Sequence, residues 1–587
     1  MCLKKNRNPF LVLHCLVCTS VLFSLVGCEN QARRKAQEIQ GKKAQQKENR
    51  DSIREAFRYL PQLVRLDRTT ALKEIRYQLN NWSTSVSTPP EWQSPGLLDS
   101  IAPSLLTIDF ATRMKSLDFG EPECDYLLQC QMLTEVARWV LQTPYRDQLY
   151  LEWLQGRQKE LTSEQATQLE TTLKLFDWTV CNIGLEGQPK DVERLVTNPD
   201  LPISDDSIIC RQLPWQTMMF GRGDRWQRAR VFTQLLFTQG IDALVLALPS
   251  LTGAVENASI RPWCLGIPIG DEIYLFEPQW GLPIPSQRDN GIATLREARS
   301  NPTVLRRAKI PGLFEYPVEP KDLENLIALI DCEPFAVGRA MYTLQKSLTG
   351  ENRIRISSDA IELENRIKEL DGSLSIRLWN VPWLCYVYSG SARSRLGEQS
   401  PFSMQYMENY GAFITDTPIS RARLLYFKGK FESTLDEVGA LRTYMDLRID
   451  EQTLKELMVD RATQQEFGIV KGDFESAESY QFRLLQAQNY FRKAKFDVAV
   501  FLGMANIYRG KFDTAIDWLQ KRTLDLKGTE KWHAHAHYLL GRAYEDSNDV
   551  KKAAEEFKYE NSPQAAGNRV RLRKLRQMYP TELGEEN

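Results

Sequence analysis

The sequence predicts an α+β fold with far more helix than strand, on three observations. A helical pattern over 225–239 is followed by short apolar runs, Ile241–Leu248 and Ile273–Phe276, that read as buried strands. Residues 51–170 carry amphipathic runs of helical period. Residues 401–587 carry helical pairs punctuated by small residues. The expected order is a mostly helical N-terminal region, an α+β core over 171–290, a mixed helix and strand segment over 291–400, and an all-α C-terminal region of helical repeats.

The first residues address the compartment. Lys4, Lys5 and Arg7 precede an apolar stretch, Phe10–Val26, too short and too early for an ordinary spanning helix. It ends in Leu25-Val26-Gly27-Cys28, which resembles a bacterial lipoprotein signal over residues 1–28. The resemblance implies cleavage before Cys28, lipidation of that cysteine and a periplasm-facing place in the cell envelope. Glu29 after it implies sorting to the outer membrane. The alternative is an uncleaved anchor or a plain signal peptide. Residues 29–50, with Arg33-Arg34-Lys35 and Lys42-Lys43, have little to bury and read as a polar tether.

In the N-terminal region the run Cys124–Leu141 reads as an amphipathic helix, and 87–96, with Pro89, Pro90 and Pro95, as a loop. Thr162 and Gln165 have capping-box spacing and open a helix through Leu175 and Trp178. Seven cysteines follow Cys28: Cys124, Cys130, Cys181, Cys210, Cys264, Cys332 and Cys385. An oxidising compartment permits disulfides, but the odd number leaves one thiol over. Cys124 and Cys130 on one helix lie about 9 Å apart along the axis, too far to pair.

The core carries the most informative residues. Asp224 is an N-cap with Gln227 three residues on, and Gly240 sits where a left-handed residue ends the helix. Between them Trp226, Ala229, Phe232, Leu236 and Phe237 form one apolar stripe. Arg261-Pro-Trp263-Cys264 and Glu277-Pro-Gln-Trp280-Gly281 then stand on or beside the strands. Together, from Gly221 to Pro285, these segments resemble the core of a transglutaminase-like, papain-related cysteine enzyme. In that family a helix opens as Cys-Trp-x-x-Ala and closes as Gly-Ile-x-Ala. One strand then brings His-x-Trp and the next Asp-Pro-x-Trp-Gly. By that resemblance Arg225 stands for the nucleophile, Arg261 for the histidine and Glu277 for the aspartate. Arginine only donates hydrogen bonds and stays protonated, so it replaces neither nucleophile nor base. A cation in a first helical turn is itself unfavourable by about 0.3–1 kcal/mol, so Arg225 is expected to pair with Asp224 or Glu277. The three replaced residues are read either as a structural ion-pair cluster or as an anion-binding pocket. The remaining candidate for a relocated nucleophile is Cys264.

Downstream, Leu323–Ile330 and Ala340–Lys346 read as helices and Ser373–Trp379 as a strand. In the C-terminal region Leu540-Gly541-x-x-Tyr544 with Ala553 and Phe557, and Leu502-Gly503 with Gly510, Phe512, Ala515 and Leu519, resemble tetratricopeptide repeats; Tyr426–Phe431 is a more degenerate copy. The resemblance implies a surface for protein or peptide partners. His533 and His537 are one turn apart, as a chelating pair would be. However, His537 falls four residues before Gly541 on the packing face, and no carboxylate or cysteine stands at ligand spacing, so no metal and no cofactor are assigned.

A formal net charge of −1 gives no ground for a nucleic-acid partner. The sequence therefore predicts a lipid-anchored envelope protein that binds other envelope proteins or peptides and has no catalytic residues of its own. The rival is an active transglutaminase- or peptidase-like enzyme with a relocated nucleophile.

Overall fold

The computed structural model describes residues 50–584 except 65–67, 87–90, 188–211, 250–259, 288–290, 351–352, 396–410 and 414–415. The signal segment, Cys28, the tether to residue 49, Cys210 and the first part of the loop at 87–96 lie outside the described residues. The fold is α+β, predominantly helical around one small mixed sheet.

Three helices of the N-terminal region stand beside the core: α1 (Glu121–Gln142), α2 (Gln148–Gln158) and α3 (Ser163–Asn182), of which α3 packs against the other two and on the sheet. The capping box is formed at α3, where the Thr162 hydroxyl accepts from Gln165 N and the Gln165 amide oxygen accepts from Thr162 N. A short helix α4 (Pro214–Phe220) leads through a two-residue strand into α5 (Arg225–Thr238). That strand, β2 (Arg222–Gly223), pairs in parallel with β1 (Gly184–Leu185), which follows α3. At α5 the Asp224 carboxylate accepts from Trp226 N and Gln227 N, and Gly240 ends the helix at φ +75°.

The expected amphipathic stripe on α5 proves too narrow. Every residue from Trp226 to Leu236 is buried, Arg228 and Arg230 included. Helix α5 runs through the middle of the molecule, with α1 and α3 against it.

The sheet has the order β6-β5-β4-β3-β7-β8. It comprises β3 (Leu244–Pro249), β4 (Ile260–Ile269), β5 (Glu272–Glu277), β6 (Leu282–Pro283), β7 (Ile327–Ile330) and β8 (Ser375–Leu378). All neighbours are antiparallel except β7 and β8. Two of the six strands thus come from the 291–400 segment. One of them corrects a sequence expectation. Leu323–Ile330, read as a helix, is a 3-10 turn over Pro320–Leu323 followed by strand β7. A four-residue apolar run has no period that separates a strand buried on both sides from a helix.

The C-terminal region is built of helices α6 (Pro418–Phe427), α7 (Ala477–Tyr508), α8 (Phe512–Leu519), α9 (His533–Asp546), α10 (Val550–Glu556) and α11 (Ala565–Met578), with three shorter helices between α6 and α7. The two clearest predicted pairs are antiparallel hairpins held close by glycine. A Cβ on Gly503 would come within 2.7 Å of Leu519, and one on Gly541 within 2.5 Å of Phe557. Gly510 makes the first turn at φ +69°. The buried apolar residues run as one cluster from Ile53 to Leu575, so these hairpins share a core with the sheet.

Arginines join the parts by satisfying the carbonyls that helix C-termini leave open. Arg146 donates to Ile507 O at 2.6 Å and Tyr508 O at 3.0 Å at the end of α7. Arg228 donates to Ile183 O, just past α3, at 3.0 and 2.6 Å. Arg355 donates to Phe237 O in α5 at 3.4 Å, and Arg423 donates to Met218 O in α4. No helix among the described residues is long and apolar enough to cross a membrane.

Candidate functional site

The fold brings the first residue of α5 to the last residue of β5. One guanidinium nitrogen of Arg225 lies 2.8 Å from each carboxylate oxygen of Glu277. The same nitrogen donates to the backbone carbonyl of Trp263 on β4. The guanidinium also stacks over the Trp226 ring, 4.5 Å from its centroid. Glu277 keeps 3% of its side-chain exposure and Arg225 18%, so the pair is nearly dry.

A break in the sheet makes the Trp263 carbonyl available. Leu246 pairs with Cys264 and Ala247 with Pro262, so Trp263 has no partner on β3. Such a bulge re-aims the groups of the extra residue. Here the carbonyl meets Arg225 and the indole N–H donates to the Tyr316 hydroxyl at 2.6 Å. Tyr316 in turn packs against Trp280, ring centroids 5.1 Å apart. Trp280 lies in the turn that follows Glu277, where Gly281 adopts φ +64° and donates its N–H to Glu277 O.

Two of the three replaced positions are therefore joined, and the third is not. Arg261 is exposed, and its guanidinium donates to Pro317 O at 3.2 Å. Arg261 and Glu277 form no ion pair. The expected three-residue cluster is a two-residue pair, because the bulge at Trp263 breaks the alternation that would otherwise carry Arg261 along with it.

Cys264 is fully buried on β4. Burial, with the Glu277 carboxylate nearby, pushes its thiol well above the ordinary cysteine range. A thiol kept neutral in this way is no nucleophile. Among the described residues no histidine hydrogen-bonds to Arg225, Cys264 or Glu277.

The three clustered histidines take separate partners. His535, not His537, is the core residue. It is buried with Nε2 3.1 Å from Cys181 O, and burial beside the Arg228 cation lowers its pKa to about 3. His537 is half-buried, 2.7 Å from Glu556 and stacked on Tyr559. His533 faces the Thr529 hydroxyl at 3.3 Å. Three successive odd positions on one helix point 200° apart, so no two neighbours share a face. Among the described residues no group of three histidine, cysteine or carboxylate side chains is placed to hold a metal.

Sequence reasoning missed Arg228 and Arg230. Arg228 donates to Ile183 O, to Pro278 O at 3.1 Å and to the Gln564 amide oxygen at 2.6 Å, and has no carboxylate in contact. Its charge rests on the C-terminal carbonyls of α3, and burial lowers its pKa to about 10. Arg230 pairs with Asp331, at 3.3 Å, and with Glu333, both just past β7. Helix α5 thus reaches three directions through three arginines. The C-terminal helix α11 closes over the same corner: a Cβ on Gly567 would lie 2.0 Å from Trp280 O, and Gln564 lies against Gly281. Compared with known proteins, the chain matches no family model, no curated protein and no solved structure.

Proposed function

We propose that this is an envelope-anchored binding or scaffold lipoprotein. In this reading its core is an enzymatically silent relative of the transglutaminase-like enzymes, and its C-terminal hairpins are tetratricopeptide-like and bind polypeptide. The observation that carries the reading is the Arg225–Glu277 pair. It fills the junction of a helix N-terminus and two strands with a cation already neutralised by its own carboxylate. A thiolate there would be held by the helix dipole; arginine can neither attack nor accept a proton. Cys264 offers no substitute, since it is buried and neutral.

Binding through the helical region is supported by where apolar side chains stay uncovered. Of the thirteen exposed large hydrophobic residues described, eight lie between 435 and 485, including Leu435, Val459, Phe474 and Phe482. The test pairs two measurements on the full-length protein. Purified protein is expected to show no hydrolysis of acyl donors and no amine incorporation. A photo-crosslinking residue in place of Phe482 is expected to capture a polypeptide in envelopes, whereas one at Tyr77, equally exposed on another helix, is not. Turnover that alkylation blocks and Cys264→Ala removes, with the fold intact, would overturn the silent-core reading.

A further inference from the structure

A buried cluster of charges joins the C-terminal helices to the N-terminal layer. Arg571 of α11 grips Asp147, the N-cap of α2, with two nitrogens at 2.9 and 3.0 Å, and reaches Glu545 of α9 at 2.6 Å. Arg542 of α9 donates to Asp177 of α3 at 2.6 Å. Asp147, Glu545, Arg542 and Arg571 each keep 8% or less of their side-chain exposure.

The cluster has more carboxylates than cations. To Asp147, Asp177 and Glu545 is added Asp546, the last residue of α9, which lines one gap with Arg571 and lies within the field of Arg542. Arg146 also faces Asp546, but its two terminal nitrogens donate to the α7 carbonyls. No described side chain ion-pairs with Asp546, and it sits where the helix dipole disfavours a negative charge. With Arg146, Gln148, Glu545, Arg571 and Tyr579 it lines the small gap between α2, α9 and α11.

We propose that Asp546 is the proton-controlled member of a latch that holds α9 and α11 against α2 and α3, closing more tightly in mildly acidic medium than at neutral pH. Burial, reinforced by Asp177 and Glu545 and opposed by Arg542 and Arg146, lifts the Asp546 pKa to about 6 from the ordinary 3.8. The closed form therefore takes up a proton between about pH 4 and 6 that the open form does not, so closure strengthens as pH falls through that window. Glu545 is shifted upward too, chiefly by burial, and acts in the same direction. Asp147 is held at about 2, with Arg571 and Arg542 opposing its burial, so its contribution to closure is lost only as pH falls from about 4 towards 2.

The test is amide hydrogen exchange of the full chain over 565–578 at pH 5.5 and 7.5, corrected for intrinsic exchange. The wild type is expected to open about fourfold less at pH 5.5 than at pH 7.5, because only part of the difference between the closed and open pKa is expressed at that pH. Asp546→Asn is expected to be more protected than the wild type at both pH values and to lose most of the pH response, the remainder being that of Glu545. Asp147→Asn is expected to loosen the latch at both while leaving the pH difference in place. A wild type insensitive to pH would overturn the proposal, as would a pH response that Asp546→Asn leaves undiminished.

Discussion

Arg225 and Glu277, fifty-two residues apart in sequence, meet through a single guanidinium nitrogen 2.8 Å from both oxygens of the carboxylate. The pair has two consequences. It offsets the unfavourable placement of a cation in the first turn of α5, and it ties that helix to β5 in a nearly dry setting.

Removing the acid leaves a guanidinium facing a carbonyl and a neutral amide. Glu277→Gln is expected to destabilise by about 2–4 kcal/mol, somewhat less than a fully buried pair because Arg225 keeps partial exposure. Glu277→Asp should cost less, since the charge remains. Arg261→Ala should stay within about 0.5 kcal/mol, because that side chain is exposed. Denaturant titration of the three variants checks the ranking. Equal losses for Glu277→Gln and Arg261→Ala would remove the distinction drawn between the two arginines.

Cys264 should behave as a core residue. Iodoacetamide at neutral pH is expected to leave it unmodified in the folded protein and to label it once denaturant is added, because the thiolate is the reacting species and burial suppresses it. Peptide mass mapping reads the site directly. Labelling at the rate of a free thiol would contradict the burial.

Anchoring has its own test. Cys28→Ser is expected to abolish incorporation of labelled fatty acid and to leave an unprocessed precursor. A mutant labelled and processed like the wild type would refute the lipoprotein reading.

Gly541→Ala should destabilise by about 1–3 kcal/mol, although alanine is the better helix former by about 1 kcal/mol, because its Cβ would press on Phe557. Adding Phe557→Leu should recover part of the loss. A stabilised Gly541→Ala would mean that the α9–α10 hairpin is looser than described.

Local signals carried well from sequence to structure. The caps at Thr162 and Asp224, the ends at Gly240 and Gly510, and the glycine-packed hairpins each depend on residues within a few positions of one another. What stayed hidden depends on distant partners. Arg228 and Arg230 look like a solvent face by period, yet they are buried because Gln564, Asp331 and Glu333 wait up to 336 residues away. The bulge at Trp263 is likewise a property of two strands and not of one. That is why the Arg225–Glu277 half of the site was legible and the place of Arg261 was not.

The Asp147–Arg571 grip separates its partners by 424 residues. At about 5–20 residues per second of synthesis, the first waits between about 20 and 85 s for the second. For most of that interval α2 and α3 present Asp147 and Asp177 without Arg571 and Arg542, and the sheet lacks the helix that covers Trp280. Such a chain completes its earliest layer last. A ribosome that stalls, or a stop codon that falls, before residue 571 would release a product whose defect lies four hundred residues upstream of its end.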